Sequence, residues 1–196
     1  MELTEQEIVR RNKVEEISKY CNPYPEKYEV SHTLKEASVL DDETKDVSVA
    51  GRIVFLRKMG KLSFLRLRDI EGELQVSIKI DLVGEAKYQF FKEYYDIGDF
   101  IGVKGEMFTT HTGEKTLRAD SFEFLGKALK PLPEKFHGLT DMELKYRQRY
   151  VDLISNEESR RIFLGRSKLY SFIHRFMAEN GFLEVETPIL QTAVCG

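Results

Sequence analysis

The chain has no tryptophan, only two cysteines and only five prolines in 196 residues. Cys21 and Cys195 lie far apart and fit no metal-ligand spacing. That excludes a disulfide framework and points to a reducing, cytoplasmic setting. No run approaches the roughly 20 apolar residues that a membrane-spanning helix requires. The start of the chain has neither the basic residues nor the apolar run of a secretory leader, so no membrane partner is expected. Charge of one sign is not in excess: 30 Lys+Arg face 33 Asp+Glu, a net charge of -3. A globally basic, polyanion-binding protein is thereby excluded, and any nucleic-acid site has to be a local concentration of charge. Phosphate-binding glycine loops, dinucleotide fingerprints and Ser/His/Asp or Cys/His arrangements are also missing. His32, His111, His137 and His174 are scattered, with no two at metal-ligand spacing. No catalytic residue and no metal site is assigned within this chain.

What is present falls into helices around a block of strands. Thr4 and Glu7 form a capping box, and Leu3 and Ile8 are spaced for a hydrophobic staple. The helix they open carries a sparse stripe of Ile8, Val14 and Ile17, with Arg10, Arg11 and Lys13 on the other face. Those cations are expected to be a solvated face, with a secondary role along an RNA backbone as the alternative. Pro23 and Pro25 end the helix. Residues 41–46 form a polar loop. Residues 47–55 are rich in strand formers and contain Gly51, where a bulge or bend is expected. Residues 62–68 and 74–80 predict two more strands joined by a tight turn. A short helix over 84–95 follows. Two further strands, 100–107 and 116–125, complete the block. Five strands with one helix between the third and fourth, and glycines where a sheet must curl, is the order of an OB-fold barrel. An unrelated small β-domain is the alternative.

Residues 127–137 read as an ordered linker. Thr140 and Glu143 mark a short helix, and Ser155 with Glu158 opens a long one carrying Ile162, Phe163, Leu169, Tyr170, Ile173, Phe176 and Met177 on an apolar face. Asn180 and Gly181 stop it. A strand is predicted over 182–186. Glu184 and Glu186 share one face of it, and basic partners at an interface suit them better than acid–base chemistry. The fold class is mainly β with helices (α+β).

The most informative window is 51–68, which holds Arg52, Arg57, Lys58, Lys61, Arg66 and Arg68 and no acidic residue before Asp69. Side chains alternate along a strand. Leu65 and Leu67 form the core face, which leaves Phe64, Arg66 and Arg68 on the other. An outward ring beside cations suits an unpaired base, which stacks on it while phosphates meet Arg and Lys. On the third strand Gln75 shares a face with Ser77, and its amide can both donate to and accept from a base edge. Pattern alone leaves the opposite reading equally open: Phe64 in the core, and charges that only wet a surface.

Residues 127–139 and 146–153 closely resemble the segment joining the two domains of bacterial-type lysyl-tRNA synthetases. Residues 181–188 resemble motif 1 of class II aminoacyl-tRNA synthetases. Arg10, Arg11, Asn12 and Lys13 through Pro23, Tyr24 and Pro25 are also similar to the lysyl enzymes. The resemblance covers essentially the whole chain. It implies an OB-fold that reads the uridine-rich anticodon loop of tRNA(Lys), with Phe64 as stacking platform and Arg57 and Gln75 as base-edge readers. Arg66 and Arg68 join that set by strand alternation. It implies a parent homodimer that uses ATP and Mg²⁺ to charge tRNA with lysine, with Phe182, Glu184 and Pro188 at the dimer interface.

Four segments are expected: 1–46 N-terminal helix and lead-in, 47–126 OB-fold, 127–154 linker and short helix, 155–196 the start of a class II domain. The family's ATP- and lysine-binding motifs lie beyond motif 1. The chain alone is therefore expected to hold no cofactor, to form no lysyl-adenylate and to expose an apolar patch. Two alternatives stand beside this reading: a free-standing single-strand-binding OB module, and an aspartyl or asparaginyl synthetase fragment.

Overall fold

The structure, a computed structural model, describes residues 3–133 and 141–190. The predicted Thr140 cap, much of the linker segment and Cys195 lie outside the described residues. The chain divides into two compact units, Met1–Leu132 and Pro133–Gly196.

The first unit begins with helix α1, Glu5–Ile17, whose capping box forms as expected: Thr4 Oγ1 accepts from Glu7 N–H and the Glu7 carboxylate accepts from Thr4 N–H. Leu3 and Ile8 both remain exposed, and Ile17 is the apolar residue of the stripe that is fully buried. A second short helix, α2 (Leu34–Ser38), not among the predicted elements, carries a capping box between Thr33 and Glu36. Five strands follow: β1 Val47–Lys58, β2 Leu62–Arg68, β3 Glu73–Lys79, β4 Phe100–Thr109 and β5 Lys115–Gly126. They close into a barrel in the order β1-β2-β3-β5-β4, with β1 pairing β4 and a single parallel contact between β3 and β5. Helices α3 (Ile80–Val83) and α4 (Glu85–Tyr94) sit between β3 and β4 in sequence.

The barrel interior is built by alternation. Leu65 and Leu67 of β2, Leu74, Val76 and Ile78 of β3, and Ile101, Val103 and Met107 of β4 are all buried. Each such aliphatic side chain contributes roughly 1.5–3 kcal/mol by leaving water. Closure demands close backbone approach at the register shift beside Gly105, where a Cβ would collide with the Arg118 carbonyl. Only glycine fits there.

The expected irregularity in β1 is present but displaced. Gly51 keeps its register, and the shift falls between Ile53 and Phe55. Val47, Val49 and Ile53 face inward; past the extra residue, Leu56 takes the inward side, while Phe55 and Arg57 turn out. A bulge of this kind flips the parity of everything that follows it on the strand.

Two of the three cations on the basic face of α1 are engaged, while Arg11 is exposed as expected. Arg10 donates to the carbonyls of Ala128 (2.9 Å) and Ile97 (3.1 Å), and Lys13 pairs with Asp96 at 2.9 Å. These contacts lead into a buried network. The fully buried Lys127 donates to Asp99 at 2.7 Å, and Asp99 also accepts from the backbone N–H groups of Asp96 and Ala128. Burial pushes the Asp99 carboxyl above its ordinary value, and Lys127 opposes that rise. Burial acts on Asp96 in the same direction, but hydrogen bonds from Lys127 and Lys13 hold it below the usual carboxylate range.

The second unit contains α5 (Met142–Arg147), α6 (Arg149–Ser155) and α7 (Glu157–Glu179). Asp141 caps α5. Asn156, not Ser155, caps α7, accepting from Glu158 and Ser159 N–H; Ser155 is instead the last residue of α6. Gly181 is left-handed, as the predicted stop requires, with φ of 82°. The strand predicted over 182–186 does not form. An alternating pattern becomes a strand only when a neighbour supplies ladder hydrogen bonds, and no described residue pairs with this stretch. Phe182, Leu183 and Val185 are left exposed, as are Ile162, Phe163, Ile173 and Phe176 on α7.

Candidate nucleic-acid interface

The outer face of β1–β3 gathers five of the predicted site residues, Arg57, Phe64, Arg66, Arg68 and Gln75. Register fixes this. Phe64 lies opposite Arg57 on one side and Ser77 on the other; Arg66 lies opposite Phe55 and Gln75; Arg68 lies opposite Glu73. Opposed residues in a ladder share a face, so Phe55, Arg57, Phe64, Arg66, Arg68, Glu73 and Gln75 form one surface. Phe64 is neither sealed in the core nor fully exposed: its ring is partly covered on this outer face, while flanking Ser63 and Leu65 are fully buried. Phe55 adds a second, more exposed ring, 43% accessible. The linear sequence gives no sign of it, because the bulge that turns it outward has no glycine to mark it.

The six cations of the window separate into two groups. Arg52 donates to Gly98 O at 2.9 Å and covers the Phe100 ring at 4.2 Å. Lys58 donates to the carbonyls of Lys92 and Tyr95, both at 2.6 Å, and burial lowers its pKa to about 8. Arg66 pairs with Glu114 at 2.8 Å and lies 3.8 Å from Glu73, which also pairs with Arg68. Arg57 and Lys61 are exposed and have no side-chain hydrogen bond or ion pair among the described residues. The positive stripe of the linear sequence is thus partly balanced in space by carboxylates from β3 and from the β4–β5 turn.

That turn supplies one more residue of the face, Glu114, which no local pattern marks. Thr110 Oγ1 accepts from Glu114 N–H at 3.0 Å, and Thr110 N–H donates to Glu114 O at 3.0 Å, which fixes the hairpin. The Glu114 side chain stays 45% accessible beside Arg66. Nearby, Gln75 Nε2 donates to Thr116 Oγ1 at 2.9 Å, which fixes the amide and leaves its oxygen as an acceptor. A planar ring, an unpaired guanidinium opposite it, and an amide oxygen and a carboxylate further along the face form a surface equipped to stack a base and bond its edge.

Phe182, Glu184 and Pro188 belong to the second unit and are exposed; the Glu184 carboxylate meets His174 Nδ1 at 2.9 Å. Among the described residues no group of three or more His, Cys, Asp or Glu side chains could hold a metal ion. No described helix is long and apolar enough to cross a membrane.

Residues 47–125 match the OB-fold nucleic acid binding domain family, and residues 141–196 match the class II tRNA synthetases of the D, K and N group. The chain therefore joins an OB-fold nucleic-acid-binding domain to a class II synthetase segment. Among curated proteins it is 47% identical to lysine–tRNA ligase from Aquifex aeolicus over 87% of its length, and 46% identical to that from Streptococcus mutans over 100% of its length. The enzyme of the same name from Bacillus cytotoxicus is 40% identical, again over 100% of the chain. By these relatives the chain belongs to the lysine–tRNA ligase family and matches its N-terminal part. It spans 29% of the Aquifex protein and 41% of the other two.

Proposed function

We propose that this chain recognises the anticodon loop of tRNA(Lys) as the N-terminal part of a cytoplasmic, homodimeric lysine–tRNA ligase. The observation that carries the reading is the Phe64 ring on the outer face of the barrel, directly across from an unpaired Arg57. A loop base stacks on Phe64, a contact of about 1–3 kcal/mol. Arg57 donates to base carbonyl oxygens. The Gln75 oxygen and the Glu114 carboxylate accept from an N–H, and uracil, which presents one N–H between two carbonyls, fits that set better than cytosine does. Arg66 and Arg68 contribute to phosphate attraction, moderated by Glu73 and Glu114.

In this reading residues 1–46 brace the barrel, 47–126 read the loop, 127–154 connect, and 155–196 begin the class II domain, with Phe182, Glu184 and Pro188 at a dimer contact. ATP and Mg²⁺ supply the activation chemistry of the whole ligase. The described residues offer no metal cluster, and no step of that chemistry is assigned to them.

Titration with anticodon stem-loops carrying UUU and GUC tests the assignment. Preference for UUU supports it. Preference for GUC favours an aspartyl or asparaginyl identity, and equal binding favours a general single-strand-binding module.

A further inference from the structure

The outer face of β1–β3 carries two rings, and the proposed anticodon contact uses only Phe64. Ladder register sorts this face into rows that cross the sheet. One row holds Arg57, Phe64, Ser77 and Arg118; the next holds Phe55, Arg66, Gln75 and Thr116. Each row thus has one aromatic side chain on β1 or β2, and the two rings stand diagonal to each other. Rows two residues apart along a strand are separated by about 6.7 Å. That is about twice the 3.4 Å rise of a stacked nucleic-acid strand. Consecutive nucleotides laid across both rows are therefore pulled off one another, and each base needs a ring of its own.

Phe55 supplies the second ring because of the register shift. Val47, Val49, Gly51 and Ile53 face inward, and without the extra residue Phe55 would follow them into the barrel. Bulges re-aim side chains in this way beside binding sites. The ring is left 43% accessible, and it forgoes the stabilisation that full burial would give. A second base would cover it. The polar groups across the same row are already engaged: Arg66 pairs with Glu114 at 2.8 Å, and Gln75 Nε2 donates to Thr116 at 2.9 Å. Stacking, which every base can offer, then decides what sits on Phe55.

We infer that Phe55 is a second stacking platform, which holds the nucleotide adjacent to the one on Phe64 whatever its base. This rests on the anticodon-loop reading and extends it from one stacked base to two.

The chain contains no tryptophan, so Phe55→Trp installs a single fluorescent reporter that a stacked base quenches. A UUU anticodon stem-loop should quench it saturably and bind as tightly as it binds the unmodified chain. Loop bases are then removed one at a time as abasic nucleotides. Quenching should vanish at one position, and any of the four bases restored there should bring it back. The same scan on Phe64→Trp should single out the neighbouring position. Phe55→Ala should weaken the stem-loop about 5- to 100-fold, the size of one base–aromatic contact. Undiminished binding by Phe55→Ala beside weakened binding by Phe64→Ala would overturn the inference and leave the anticodon reading standing. So would a scan in which both reporters depend on the same loop base. Undiminished binding by both alanine variants would overturn the anticodon reading, and the inference with it.

Discussion

Arg57 and Phe64 face each other across the β1–β2 ladder on the outside of the barrel. The two positions have different origins. Phe64 faces outward because Leu65 and Leu67 claim the interior. Arg57 joins it because one extra residue between Ile53 and Phe55 reverses the sidedness of β1. The pairing of a stacking ring with an uncommitted guanidinium is the basis for reading this face as an RNA-binding surface.

The remaining arginines differ from Arg57 in a measurable way. Arg66 and Arg68 already hold Glu73 and Glu114. Replacing either by alanine should flatten the dependence of log K on log salt by less than the ~0.7 expected for one full single-strand phosphate contact. Arg57→Ala should chiefly erode the preference for uridine over cytidine. Stem-loop titrations at several salt concentrations, with UUU and CCC loops, separate the two effects. Equal slope losses for Arg57→Ala and Arg66→Ala would contradict the division of roles.

The buried network that ties α1 to the barrel makes a stability prediction. Lys127→Met removes the nearer cation from the fully buried Asp99 carboxylate and leaves only Arg10, 3.8 Å away. Breaking one partner of such a pair costs about 3–5 kcal/mol. Urea unfolding should show that loss, and adding Asp99→Asn to Lys127→Met should recover much of it. A single-variant loss under about 1 kcal/mol would show that the pair contributes little.

Lys58 gives a pH prediction with a definite sign. Burial holds it near 8 in the folded chain against an ordinary 10.5. Between those values the unfolded chain binds more protons, so this group's contribution makes the fold more stable as pH rises from about 8 towards 10.5. Below pH 8 both states are protonated and the contribution is constant. A side-chain NMR titration of Lys58 should show its midpoint near 8; a midpoint near 10.5 would contradict the burial argument.

What the linear sequence revealed and what it hid divide along physical lines. The outward placement of Phe64, Arg66, Arg68 and Gln75 follows from local alternation, which needs only the apolar partners on either side. The bulge at Val54 was not legible, because a β-branched residue carries no mark of irregularity while nearby Gly51 does. The carboxylates opposite Arg66 were invisible for another reason: Glu114 is 48 residues away and arrives only through the closed strand order. Arg10 and Lys13 looked solvated because their partners, near Ile97 and Ala128, are likewise distant in sequence. Residues 182–186 carry a strand's alternation without a strand's neighbour, so the pattern over-predicted.

The most direct measurement is the affinity of the chain and its Phe64→Ala variant for a UUU anticodon stem-loop at one fixed salt concentration. The variant should fold normally, because the ring lies outside the core, and should lose about 1–3 kcal/mol of binding. Undiminished affinity in a correctly folded Phe64→Ala protein would contradict the claim that a base stacks on this ring.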